Sequence, residues 1–264
     1  MKIAILGDMH FICPDDPITA RVNRVCFQNT EAYFQKQKAC IQKENADLVI
    51  SLGDLVDWYS DMNRDYAIDH MDSIGVPWKM VAGNHDVQMY PDLSPKVPVH
   101  TKPEDTREFC TESWLSRGIE LHDRIIETDG ADLLLLDNGP SRTLPTTQTW
   151  LREVLENREN ITLFAHVPLD TPQTRAYITK ESPQRRLSKY VCSGSPWLYH
   201  DIKNKVNHIF TGHLHFTGEL EVGTTKMHLI PLGCHNQTTQ SKENGRITFY
   251  DSCSNKIESV HLGN

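Results

Sequence analysis

Three things are scarce in this 264-residue chain. No apolar run approaches the ~18 residues of a membrane-spanning helix, so no membrane-embedded segment is expected. Its seven cysteines (Cys13, Cys26, Cys40, Cys110, Cys192, Cys234 and Cys253) are odd in number and never spaced CxxC. That argues against a disulfide framework or a thiolate zinc site and predicts reduced, mostly buried thiols. Positive charge is also short: 27 Lys and Arg against 35 Asp and Glu leave a formal net charge of −8. Such a surface repels polyanions, so nucleic acid is not an expected partner. The opening MKIAILGDMH holds one lysine and a brief apolar stretch that Asp8 ends, below the about 7–15 residues of a signal-peptide core. It reads as a first strand, and a cytoplasmic protein is expected.

What is present is ordinary globular composition, 38% hydrophobic and 23% charged, long enough to bury a sizeable core. Brief apolar runs at 2–6, 47–52, 78–82 and 161–165 read as buried strands. A helix is expected around 20–44. There Val25, Ala32 and Ala39, with Cys26, Tyr33 and Cys40, recur every seven residues and mark its buried face. Residues 63–74 and 147–158 suggest two further helices. The later chain is richer in strands, at 118–127, 131–137, 206–211, 218–231 and 246–261, with turns at Asn138-Gly139 and Asn244-Gly245. Proline-bearing stretches at 87–104 and 167–196 read as irregular surface loops. With no internal repeat, low-complexity tract or linker, residues 1–264 read as a single domain.

The strand-like runs share one feature at their ends. KIAIL-Gly7 leads into Asp8 and His10; LVISL-Gly53 into Asp54 and Asp57; KMVA-Gly83 into Asn84, His85 and Asp86; NHIFT-Gly212 into His213 and His215. ITLFA leads directly into His166. The carboxyl ends of parallel strands form a common rim where sites are built. Each residue alone has a bland explanation as a turn cap or a satisfied core histidine, but five such ends together do not. Imidazole, carboxylate and carboxamide without thiolate suit Mn²⁺, Fe, Zn²⁺ or Ni²⁺. The donors outnumber one ion's needs, whereas two ions roughly 3.5–4 Å apart, sharing a carboxylate, accommodate them.

The series D-x-H, G-D-x-x-D, G-N-H-D, H and G-H-x-H, in that order from residue 8 to 215, resembles the calcineurin-like metallophosphoesterase superfamily. The resemblance implies an α/β fold: a four-layer sandwich of two mixed β-sheets flanked by helices, with a dinuclear site at the strand ends. It implies that Asp8, His10 and His215 hold one metal, that Asp54 bridges, and that Asn84, His166 and His213 complete the other. His85 then stabilises the transition state or protonates the leaving group. Asp57 is expected to hold the His85 tautomer, and Asp86 to serve either a loop hydrogen bond or the reaction.

The expected activity is hydrolysis of a small phosphorylated substrate, a phosphodiester more than a phosphomonoester, by metal-activated hydroxide. Protein phosphatases of this superfamily follow G-D-x-V-D with Arg-Gly, whereas here GDLVD is followed by Trp58-Tyr59. The short motifs resemble instead the bacterial branch of class III cyclic nucleotide phosphodiesterases and glycerophosphodiesterases, whose members often form homodimers. Trp58 or Tyr59 stacking on a substrate ring, or packing in the core, are both open, as is a phosphate contact from Arg175, Arg185 or Arg186. Two alternatives stand beside this reading: a nuclease of the same superfamily, and a non-catalytic scaffold with this fold.

Overall fold

Alternation within the strands shows how the molecule is layered. In Lys2–Leu6 (β1), Ile3 and Ile5 point into one hydrophobic cluster while Ala4 and Leu6 point into another. In Asp132–Leu136 (β5), Leu133 and Leu135 join the first cluster, and Leu134 and Leu136 a third. Side chains alternate across a strand, so strands apolar on both faces must be covered on both. The computed structural model describes residues 1–22, 27, 29–95, 98–234 and 245–262.

The other strands are Leu48–Ser51 (β2), Trp78–Met80 (β3), Arg124–Ile126 (β4), Ile161–Ala165 (β6), His208–Thr211 (β7), Gly218–Val222 (β8), Thr225–Leu229 (β9), Ile247–Asp251 (β10) and Lys256–Val260 (β11). They form two mixed sheets, ordered β11-β10-β1-β2-β3 and β4-β5-β6-β7-β9-β8. β1, β2 and β3 run parallel, as do β5, β6, β7 and β9; the remaining pairings are antiparallel. Ile3, Ile5, Ile50, Leu133, Leu135, Phe164, Phe210 and Tyr250 fill the space between the sheets. Each such fully buried side chain contributes about 1.5–3 kcal/mol.

Helices cover the outer faces. Thr30–Lys43 (α1), Asp61–Asp72 (α2) and Pro103–Ser116 (α3) pack on the first sheet through Phe34, Ile41, Met71 and Trp114. Thr147–Asn157 (α4), Pro172–Glu181 (α5) and Trp197–Ile202 (α6) pack on the second through Leu151, Ile178 and Ile202. The result is the expected four-layer sandwich.

Several local expectations need correction. The buried stripe of α1 is Thr30, Phe34, Gln37 and Ile41, while Ala32 and Ala39 are exposed and Tyr33 and Cys40 half-buried. Phe34 and Ile41 are also seven apart, so the repeat alone could not choose between stripes, and the bulkier pair is the one the core takes. Val25, Cys26 and Asn244 lie outside the described residues. α3 and α5 occupy stretches not read as helical. Asn138-Gly139 joins β5 to the segment before α4 instead of turning a hairpin. Of the six described cysteines, four are buried and all are free thiols. No helix among the described residues is long and apolar enough to cross a membrane.

Candidate metal centre

The pairing of β1 and β2 continues past their last residues. Asp54 O accepts from Met9 N and His10 N at 3.1 and 2.9 Å, and Leu55 O accepts from Phe11 N at 2.8 Å. The loops carrying Asp8, His10 and Asp54 are thereby fastened side by side. To turn these side chains inward the backbone adopts left-handed conformations at His10 (φ 50°), Asp54 (φ 47°), His213 (φ 66°) and His215 (φ 61°). For non-glycine residues that costs roughly 1–3 kcal/mol each, strain the surrounding structure must hold. Two glycines permit the close approach: a Cβ on Gly83 would overlap Asp54 N and Oδ1, and one on Gly212 would overlap Asp8 Oδ1.

Among the described residues three sets of donor atoms could hold a metal ion: two share Asp54, and the third is His10, Asp57 and His85. Asp8, His10, Asp54 and His215 offer atoms all within 4.8 Å of one another, as do Asp54, His166 and His213. In the first set, His215 Nε2 lies 3.0 Å from Asp8 Oδ2 and 3.3 Å from His10 Nε2. In the second, His166 Nε2 lies 3.3 Å from Asp54 Oδ2 and 3.1 Å from His213 Nδ1. Asn84 follows β3, between Gly83 and His85, whose main chains both approach Asp54. Its Oδ1 is buried with no hydrogen-bond partner, while its Nδ2 donates to Gln88 Oε1 at 3.1 Å. An orphaned carboxamide oxygen on a residue flanked by two that meet the shared carboxylate is what a hard or borderline cation would satisfy. The donor set therefore fits the ions that its chemistry suggests.

The far nitrogen of several rings is fixed by an acceptor outside the cluster, which decides the tautomer. His10 Nδ1 donates to Asp57 Oδ1 at 3.0 Å, leaving Nε2 inward. His166 Nδ1 donates to the Leu52 carbonyl at 2.7 Å, again leaving Nε2 inward. His213 is reversed: Nε2 donates to the Lys189 carbonyl at 2.8 Å and Nδ1 faces the site. Such outer partners orient metal-binding imidazoles and raise their basicity.

The electrostatics point the same way. Burial disfavours ionised Asp54, but the imidazoles of His166, His85 and His10 hold its carboxyl well below the usual carboxylate range. Burial likewise opposes a proton on His166, yet Asp54 and Asp8 override it and push His166 up to about 9. Burial, and then the charge on His166, push His213 down to about 3. Without an ion, a proton on His166 supplies the positive charge that the buried carboxylates require. A cation arriving there must displace that proton, which weakens binding as pH falls.

His85 stands half-buried at the edge of the cluster. Its main-chain N–H donates to Asp54 Oδ1 at 2.8 Å and its ring meets that of His10 edge-on at 4.8 Å. The expected pairing with Asp57 holds through a different atom. His85 Nδ1 bonds to the main-chain carbonyl of Asp57 at 2.7 Å, whereas the carboxylate is 3.6 Å away and serves His10. Asp86 is structural: buried, it accepts from the main-chain N–H groups of Leu55, Val56 and Gly83 at 2.9, 3.2 and 2.8 Å. Burial and the neighbouring Asp54 raise its pKa to about 7.

The aromatic pair is also settled. Trp58 and Tyr59 are 1% and 2% exposed. Trp58 Nε1 donates to Asp16, and Tyr59 OH is held by Asp61 and Ser113, so neither ring is available to a substrate. Arg175 is paired with Asp170, and Arg185 donates to the Leu214 carbonyl while lying over the ring of Tyr190. Arg186 is exposed. Sequence reasoning missed Asn138, whose Oδ1 accepts from His166 N and Val167 N at 3.0 Å each and so fixes the start of that loop. It also missed Gln88. An Asn-Gly pair directly after a strand could have been read as a rim position, but Gln88 carries no such signal.

The chain is 28% identical over 184 residues to a protein of Psychrobacter arcticus described as a probable cyclic nucleotide phosphodiesterase, covering 66% of this chain and 62% of the relative. In three dimensions it resembles a dimetal phosphatase from Danio rerio, with a TM-score of 0.59 at 11% identity over 100% and 99% of the two chains. It also resembles the protein TT1561 of Thermus thermophilus, with a TM-score of 0.56 at 10% identity over 99% of each chain. At such identity these two show the fold alone. The profile of the calcineurin-like phosphoesterase family matches residues 1–216, and the chain belongs to that family.

Proposed function

We propose that the protein is a metal-dependent phosphoric ester hydrolase with a dinuclear centre, acting on a small phosphodiester in preference to a monoester. The observation that carries this reading is the pair of donor sets sharing Asp54, together with the buried and unpartnered Asn84 Oδ1. Asp8, His10 and His215 would hold one ion, His166, His213 and Asn84 the other, and Asp54 would bridge them. Mn²⁺, Fe, Zn²⁺ and Ni²⁺ all suit these ligands. When bound, two such ions lower the pKa of water toward neutrality and offset the charge on phosphoryl oxygens.

The chain's own residues supply the rest. The Asp57 carbonyl keeps a proton on His85 Nδ1 and leaves Nε2 for another partner, on a ring that is 22% exposed. In the cationic ring Nε2 also carries a proton. As water adds to phosphorus it releases one proton to solvent; as the bond to the leaving oxygen breaks, the Nε2 proton passes to the departing alkoxide, and solvent reprotonates the ring, a transfer worth typically 10²–10⁴-fold. An alkoxide is a poor leaving group until it is protonated, so it gains directly from this transfer. The name of the Psychrobacter arcticus relative supports a diester, and the net charge of −8 disfavours polyanionic nucleic acid.

The test is hydrolysis of bis-p-nitrophenyl phosphate and p-nitrophenyl phosphate after metal stripping and Mn²⁺ restoration. Metal-restored cleavage, faster on the diester, is expected. Faster cleavage of the monoester would move the substrate class to phosphomonoesters, and turnover undiminished by metal stripping would overturn the metal-dependent reading.

A further inference from the structure

A carboxamide serves a cation from one end only: Oδ1 binds it and Nδ2 repels it. Which end of Asn84 faces the donor set is decided several residues away. The Thr101 carbonyl oxygen can only accept, so the Gln88 atom 3.2 Å from it must be the amide nitrogen. His100 Nδ1 lies 3.0 Å from the same nitrogen and 2.9 Å from the Thr101 carbonyl oxygen. Gln88 Oε1 is thereby left on the opposite side, where it accepts from Asn84 Nδ2 at 3.1 Å. With Nδ2 tied outward, Asn84 Oδ1 is turned inward, buried and unpartnered.

The relay is well anchored. Gln88 is 6% exposed, and its carbonyl accepts from Tyr59 N at 2.7 Å. Thr101 N donates to the Met89 carbonyl at 2.8 Å, and Thr101 Oγ1 accepts from Met89 N at 3.0 Å. Gln88 and Met89 are thus tied to Thr101 in a short ladder that ends at Asn84.

We propose that Gln88 is a positioning residue that sets the amide polarity of Asn84, and through it the affinity of the second ion. This rests on the two-ion reading above. Outer partners of metal ligands are typically worth 10–100-fold in metal affinity, and the Thr101 carbonyl, which can only accept, sets the order of donors and acceptors from Thr101 through Gln88 to Asn84.

The experiment is calorimetric titration of the metal-stripped full chain with Mn²⁺, on wild type, Gln88→Met and Gln88→Glu, with melting temperatures taken alongside. Wild type should bind two ions. Gln88→Met removes the acceptor and should keep the first step while weakening the second by about 10–100-fold. Gln88→Glu still offers an oxygen to Asn84 Nδ2, so it should retain the second step although its buried charge lowers the melting temperature. A purely structural role would order affinity by melting temperature, with Gln88→Glu the weaker binder, and that order overturns the proposal. So does an unchanged second step in Gln88→Met. Failure of wild type to take up a second ion overturns the dinuclear reading itself, and this inference with it.

Discussion

Two groups of histidines lie between the same two sheets, and only one of them is set against buried carboxylates, where His166 is pushed up to about 9. At the carboxyl rim, His10, His166, His213 and His215 surround the buried carboxylates of Asp8 and Asp54. Away from it, His208 on β7 and His228 on β9 face each other, Nδ1 to Nε2, at 3.1 Å. They line a cleft of about 580 Å³ where β8 and β9 part from β10 and β11. The acid that reaches this second pair is Glu219, 56% exposed and 3.5 Å from His228 Nδ1. Burial, and then the neighbouring His208, push His228 down to about 4, and burial lowers His208 as well. The pair is therefore neutral at physiological pH. The difference lies in the carboxylates, since only buried anions create a demand for positive charge that a proton or a metal must meet. Fixed tautomers complete the contrast, because the rim rings present a chosen nitrogen.

The largest effect should separate two histidines within the rim. His213→Ala removes a donor of the second set, so Mn²⁺ content should fall toward one ion per chain and most turnover should disappear. His85→Ala should keep both ions while turnover of a diester with an alkyl leaving group drops by about 10²–10⁴-fold, as for a lost general acid. Elemental analysis beside steady-state rates distinguishes them. Loss of metal from His85→Ala would place that ring among the ligands.

Asp57→Asn should act on a smaller scale and on a different residue than its motif suggests. Its carboxylate accepts from His10, whereas His85 is held by the main-chain carbonyl. The substitution should weaken the first ion by about 10–100-fold, the usual cost of an altered outer partner, with modest change in turnover once Mn²⁺ saturates. An unchanged first-ion affinity with a His85-like fall in turnover would restore the carboxylate to His85.

That example shows how far the site is legible in the chain. The ligand types after β1, β2, β3, β6 and β7 stand openly because chemistry needs those side chains at those strand ends. Their supports do not. The Leu52, Asp57 and Lys189 carbonyls belong to the backbone, which any residue provides, so no side-chain pattern announces them. β1 and β6 match the apolar runs residue for residue because strands buried on both faces are nearly continuous in hydrophobicity. α3 and α5 escape the sequence reading although each begins with proline at its first turn, and Thr171 caps α5 by accepting from Thr174 N. Several prolines close together read as loop, yet at the start of a helix proline is a favoured residue.

The smallest effect concerns the second histidine pair and appears in stability. In the unfolded chain His228 would titrate near its ordinary value of about 6.5, whereas in the folded chain it titrates at about 4. Between those values the unfolded state binds the extra proton, so this contribution is fully present above pH 6.5 and is lost as pH falls through 4. The difference amounts to about 3 kcal/mol at most. Carboxylates and the rim histidines change over the same range, so the informative quantity is the difference between wild type and His228→Leu. Urea unfolding at pH 7.5 and pH 5 should show a smaller acid loss in the variant, whose leucine would meet the Phe210 ring that His228 now stacks on. Mn²⁺ binding should be the same in both proteins. An equal acid loss in the two would mean that His228 is protonated in the folded state, and a change in Mn²⁺ affinity would join the cleft to the rim and dissolve the contrast between them.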